Sequence, residues 1–232
     1  MSFFSGLLSA LPGAVAQGLI WGLMAIGVFI TFKVLDLADL TVDGTMATGG
    51  AVCIVMMTHG ANVWVAMLCA FLAGMLAGLI TGILHTCMGI PAILAGILTQ
   101  LALFSINLRI MDKKANVAIN PDNYKLLVSL RNVKKVTIEN PIFVAVVFTI
   151  VVIALLYWYF GTEQGSAIRS TGANPAMSRA QGININAMKV LGLSLSNGMV
   201  ALSGGLMAQY QGFADINMGR GAIVIGLAAV II

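Results

Sequence analysis

The chain has 232 residues, of which 59% are apolar and only 9% charged, and its mean hydropathy is +1.00. Soluble domains run at about half apolar and a quarter charged, so this composition excludes an ordinary soluble domain and marks an integral membrane protein. The formal net charge of +4 is concentrated in one loop and implies no nucleic-acid partner.

Uncharged runs cover residues 7–32, 63–84, 90–108, 142–160 and 190–214, and each approaches the 20 or so residues that cross a bilayer as a helix. The first run could be mistaken for a secretory signal, since Ala14-Val15-Ala16 resembles a cleavage site. It lacks a basic start and continues to Phe32, so an uncleaved span is expected. The run 42–58 is shorter, opens at Asp43 and contains Gly44, Gly49 and Gly50; a broken or partly re-entrant helix is expected there. The run 222–232 has no polar flank after it, so the natural chain is expected to continue. The fold class is therefore all-α, a single polytopic transmembrane bundle over 1–232, with about six or seven spans and a C-terminal part missing.

Gly74, Gly78 and Gly82 recur every fourth residue and form a small-residue face on the third run, where another helix backbone can come close. Gly18 and Gly22, beside Gln17, form a shorter version on the first. Asp36, Asp39 and Asp43 would share a face if 35–43 were helical. Capping and surface solvation is the expected role of these three, with gating, solute passage or an ion site as alternatives. Polar side chains within the runs are Gln17, Thr45, Thr48, Thr99, Gln100, Asn107, Ser194, Ser196, Asn197, Ser203 and Gln209. Groups of this kind avoid lipid and turn toward protein or a water-filled path, so interhelical hydrogen bonding competes with a solute path. The candidates for that path are Asp43, Thr45, Thr48, Thr99, Gln100, Asn107 and Asn197.

Chemistry is sparse. Cys53, Cys69 and Cys87 show no pairing or metal spacing, and His59 and His85 lie near opposite ends of one span without a carboxylate pair. No catalytic residue, metal or cofactor is expected. There is also no phosphate-binding Gly-x-x-x-x-Gly-Lys-Ser/Thr loop, so any ATP hydrolysis belongs to another polypeptide.

Seven of the twelve basic residues (Arg109, Lys113, Lys114, Lys125, Arg131, Lys134 and Lys135) fall in the loop 109–140. One span separates it from the loop 161–189, which holds Arg169, Arg179 and Lys189, so the two lie on opposite sides of the membrane. Positive-inside counting alone would put the first in the cytoplasm. The second loop contains a short helix with its own signals. Asn174 can cap it, Pro175 suits its first position, Arg179 faces the negative end of the dipole and Gly182 supplies a left-handed exit. Running from about Pro175 to Gln181, it would be only about 10 Å long, too short to hold itself in water. It reads as a docking element for a soluble partner, held by lipid or by the protein's own loops.

Taken together, the segments resemble the membrane subunit of ATP-binding-cassette importers, in the family that serves branched-chain amino acids, ribose and related solutes. The resemblance is carried by Arg169, Gly172, Asn174, Pro175 and Gly182, and by Leu35-Asp-Leu-Ala-Asp-Leu-Thr-Val-Asp-Gly44 with Gly49 and Gly50. More narrowly, 35–44, 91–99 and 105–111 are similar to a bacterial branch linked to aromatic amino acid uptake. The resemblance implies that 161–186 is cytoplasmic and contains the coupling helix, with 109–140 outside. Arg169, Gly172, Asn174, Pro175, Arg179 and Gly182 would then couple to an ATP-binding cassette subunit. It also implies a second permease subunit, normally an identical copy, an extracellular solute-binding protein, and a bacterial inner membrane as the location. The rival readings are a self-contained secondary transporter or channel for a small neutral or zwitterionic solute, and a non-transporting scaffold.

Overall fold

A computed structural model describes residues 2–119, 126–128 and 141–232. Lys125, Arg131, Lys134 and Lys135 of the basic loop lie outside the described residues. The helices are α1 (Ser2–Phe29), α2 (Val42–Thr58), α3 (Val63–Thr86), α4 (Ala92–Ile110), α5 (Pro141–Phe160), α6 (Glu163–Ala173), α7 (Pro175–Ala180), α8 (Ile185–Gln211) and α9 (Ala222–Ile231). Strands β1 (Asn116–Ala118) and β2 (Phe213–Asp215) pair antiparallel, with Val117 opposite Ala214. Among the described residues, five helices are long and apolar enough to cross a membrane, while α2 and α9 are shorter apolar helices. The chain is a multi-pass helical membrane protein.

Helix α8 is the axis of the bundle, with α1, α2 and α3 packed around it. It is the most enclosed of the long helices and α5 the least. Its sequence explains this position. Gly198, Gly204 and Gly205 with Ser194, Ser196 and Ser203 leave little side-chain bulk, and the hydroxyls reach across to neighbouring backbones. Ser196 Oγ donates to Gly27 O at 2.7 Å, Ser203 Oγ to Ile20 O at 2.7 Å and Ser194 Oγ to Met75 O at 2.9 Å. Interhelical bonds of this kind are worth about 0.6 kcal/mol each in a membrane. Their larger effect is to fix which faces meet.

Gly74, Gly78 and Gly82 face α8. A Cβ on Gly78 would run into the backbone of Leu193 and Ser194, and one on Gly82 would lie 2.9 Å from Val190 Cα. Helix α2 packs on α8 as closely: Gly49 meets the Ala201 backbone and Gly204 meets that of Met46. The shorter motif behaves differently: a Cβ on Gly18 or Gly22 would touch nothing within 4 Å, and Gln17 is exposed. Large apolar residues on the outer faces of α3, α4 and α5 are exposed, as a lipid-facing surface requires. Tyr157 and Trp158 lie at the α6 end of α5 and Trp64 at the start of α3, suited to the two interfaces of an aromatic belt.

Helix α2 is itself unbroken, and the irregular backbone expected within 42–58 lies before it. Helix α1 ends in a π-helical turn, Ile30–Val34, closed by Leu35 N donating to Ile30 O at 3.1 Å. Residues 36–40 are then non-helical, with Asp36 left-handed at φ 55°, before α2 begins beside Asn197, halfway along α8. The three aspartates therefore do not share a helix face.

Candidate functional site

The α6–α7 region is built from local signals. Asn174 Oδ1 accepts from Met177 N at 3.0 Å, Pro175 occupies the first position, and Gly182 has φ 81°. Ile183 N returns to Ser178 O at 3.1 Å, the closure expected at a glycine-terminated helix. The helix ends at Ala180, with Gln181 as its C-cap. Met177 is 59% exposed, and Arg179 is exposed beside it. Ser178 is 2% exposed and its hydroxyl donates to Asn174 O, so the two sides of this short rod differ.

The preceding residues form a separate helix, α6, which sequence reasoning did not distinguish. Its signal was present: Thr162 is the N-cap, accepting from Gly165 N at 3.4 Å, with Glu163 in the first turn. Gly172 on α6 packs against the Val34–Leu35 backbone, and Ile168 is fully buried. Arg169 Nη2 donates to Phe160 O at 2.9 Å, tying α6 to the last turn of α5. Of the six residues singled out here, Asn174, Pro175 and Gly182 shape α7, Gly172 and Arg169 hold α6 in place, and Arg179 projects from the surface.

Six of the seven solute-path candidates fall into two groups. Asp43, Gln100 and Asn107 line a cavity of about 250 Å³ between α2, α4 and the turn 216–220, with Gly44, Ala47, Leu101, Phe104, Ile216, Asn217 and Arg220 completing its wall. Asp43 caps a helix other than its own. Its carboxylate accepts from Gly221 N at 3.1 Å and Ile223 N at 3.0 Å in the first turn of α9. The positive ends of α2 and α9 therefore converge on one carboxylate, each equivalent to roughly half a charge. Asn107 is 1% exposed; its Nδ2 faces Gly44 O at 3.5 Å, while Oδ1 has no partner among the described residues.

Thr45, Thr99 and Asn197 belong instead to a buried polar network. Asn197 Nδ2 donates to Asp39 Oδ2 at 2.6 Å, Asp39 Oδ1 accepts from Thr41 N at 2.9 Å, and Thr45 Oγ1 donates to Asn197 Oδ1 at 2.6 Å. Thr41, Thr81 and Thr99 hydroxyls follow at 2.9 Å steps, and the run ends on Ala95 O. Asp39 is only 3% exposed, which corrects the expectation that it is a solvated surface residue. Burial of this carboxylate is tolerable because both oxygens are hydrogen-bonded. Thr48 is also buried, but bonds back to Gly44 O within its own helix at 2.9 Å.

Elsewhere the polar groups serve packing. His85 Nδ1 lies 2.8 Å from Ile90 O, so Nδ1 carries the proton and Nε2 faces Lys189 Nζ at 3.4 Å. Cys53 is buried against Gln209, and no cluster of three metal-ligating side chains occurs among the described residues.

Comparison with known proteins decides the family. Residues 11–232 match the branched-chain amino acid transport system, permease component. The chain belongs to this family. It is 41% identical over 225 residues to a tyrosine transport system permease protein of Clostridioides difficile, covering 97% of this chain and 73% of that one. An uncharacterized protein of Rickettsia prowazekii is 33% identical, covering 94% and 75%. The ribose import permease protein of Haemophilus influenzae is 26% identical, covering 89% and 64%. No solved structure matches the chain significantly. The chain is thus a membrane permease of a transport system, in a family of transport components and not of enzymes.

Proposed function

We propose that the chain is the transmembrane subunit of an ATP-driven importer of the ATP-binding-cassette type. A separate ATP-binding cassette subunit docks on α7, a second permease subunit of the same sequence completes the path, and an extracellular binding protein delivers solute to the opposite face. The location is a bacterial inner membrane, with 161–189 cytoplasmic and 109–140 outside. The solute is an amino acid, aromatic by likeness to the tyrosine permease.

The observation that carries this reading is α7 itself. A helix of six residues cannot hold its shape alone, yet here it is capped at both ends and braced by α6 with Met177 and Arg179 turned outward. Alternating access needs elements that can move as units. Helix α6 contacts the π-helical turn before the α2 break through Gly172, so a push on α7 has a packed route toward the cavity.

The meeting of the α2 and α9 N-termini favours a second reading, because self-contained secondary transporters also bind solute where broken helices converge. Reconstitution separates the two. The full-length permease with its ATPase and binding protein should accumulate labelled L-tyrosine in vesicles only with ATP; uptake at the same rate without ATP would establish the secondary transporter.

A further inference from the structure

The 250 Å³ cavity at Asp43 is smaller than the roughly 300–1,000 Å³ of drug-sized pockets, so it suits a solute of amino-acid size. Its polar groups are unusually specific. The Asp43 charge is taken up by the N–H groups of Gly221 and Ile223 and by the two helix ends. Arg220, on the same wall, bonds through its backbone N–H to Asn217 O at 3.0 Å, while its exposed side chain makes no hydrogen bond or ion pair among the described residues. The cavity wall thus carries one carboxylate whose oxygens are already hydrogen-bonded and one guanidinium whose donors are unused among the described residues. Asn107 contributes the complementary feature: a buried carbonyl oxygen with no donor among the described residues. Its amide orientation follows from Gly44 O, which can only accept and so faces Nδ2. A buried acceptor left unmade is a cost that a ligand N–H would recover. Ala47, Leu101, Phe104 and Ile216 form the apolar remainder of the lining.

We propose that this cavity reads the backbone of a zwitterionic amino acid: Arg220 takes the carboxylate, Asn107 Oδ1 takes an ammonium N–H, and Phe104 with Leu101 receives the side chain. The assignment rests on the amino-acid importer reading above. An uncharged sugar would leave the guanidinium unanswered, so the same site disfavours cargo of that class.

The test is equilibrium binding of labelled L-tyrosine to the full-length permease–ATPase complex in nanodiscs, without the binding protein, with tyramine and 3-(4-hydroxyphenyl)propionate as competitors. Tyramine lacks the carboxylate and the propionate lacks the ammonium. In the wild type both should compete at least about tenfold more weakly than L-tyrosine, the size of one lost charged hydrogen bond. Arg220→Gln should abolish the preference for L-tyrosine over tyramine, with Arg220→Lys restoring part of it. Asn107→Leu should abolish the preference for L-tyrosine over the propionate. Melting temperature in each variant checks that the loss is not one of folding. Unchanged discrimination in folded variants, an equal loss for all three compounds, or no saturable binding by the wild type would overturn the assignment. If ATP-driven uptake of L-tyrosine persists in those cases, the importer reading stands and only the cavity assignment falls. If the wild type imports no amino acid, both fall.

Discussion

Replacing Gly78 with alanine should destabilise the bundle, whereas the same change at Gly22 should not. A Cβ at Gly78 would lie 2.8 Å from both the Leu193 carbonyl carbon and Ser194 Cα, against 3.4 Å where ordinary contact begins. These are backbone atoms of α8 and cannot rotate away, so α3 and α8 must separate by about half an ångström or more. A Cβ at Gly22 meets nothing within 4 Å. Both positions are inside helices, so both substitutions gain the same helix propensity of about 1 kcal/mol, and the difference between them isolates the overpacking cost, about 1–3 kcal/mol. Scaled at about 2–4 °C per kcal/mol for a chain of this length, the melting temperatures in one detergent should differ by roughly 2–12 °C, with Gly78→Ala lower. Identical melting of the two variants would refute the close-packing argument. Gly60 is a poor control, because its φ of 86° penalises any side chain there whatever the space.

Three further outcomes follow from the same geometry. In a background free of native cysteines, an impermeant thiol reagent applied to intact cells should modify Asn116→Cys and spare Met177→Cys; the reverse pattern would invert the proposed orientation. Ser178 is too buried to serve as a probe, and Asn123 lies outside the described residues. Asn197→Leu removes a donor to the buried Asp39 carboxylate and should cost about 1.5–3 kcal/mol, read as a lower melting temperature that Asp39→Asn partly restores. Asn174→Ala should cost α7 about 0.5–2 kcal/mol by loss of its cap, seen as faster amide exchange at Met177 with no change in α8.

What the sequence made legible was what depends on neighbours in the chain. The signals that bound α7 are the Asn174 cap and the left-handed Gly182 after its C-cap, within a few residues of the helix, and the apolar runs needed only a count against bilayer thickness. The pairings across the bundle were hidden. Asp39 looks solvated because its partner Asn197 is 158 positions away. Gly18 and Gly22 share the spacing of Gly74 and Gly78, but a Cβ on either would meet nothing within 4 Å among the described residues, since spacing identifies a smooth face without saying what packs there. Arg220 was passed over because the last apolar run begins two residues later, although Asn217, Gly219, Arg220 and Gly221 together form a short polar turn that signals a break. Arg169 was expected to face the partner; it is exposed but also holds the end of α5, so reversing its charge would not isolate docking.

Met177→Glu does isolate it. The side chain is exposed, makes no hydrogen bond within α7 beyond its backbone and lies outside the cavity wall, so the substitution puts a charge on the docking surface while sparing the fold. In vesicles containing the full-length permease, its ATPase and the binding protein, ATP hydrolysis stimulated by the loaded binding protein and uptake of L-tyrosine should fall together, with binding-protein docking unchanged. Stimulated hydrolysis and uptake at wild-type levels would contradict the assignment of α7 as the element that transmits ATP hydrolysis to the membrane path.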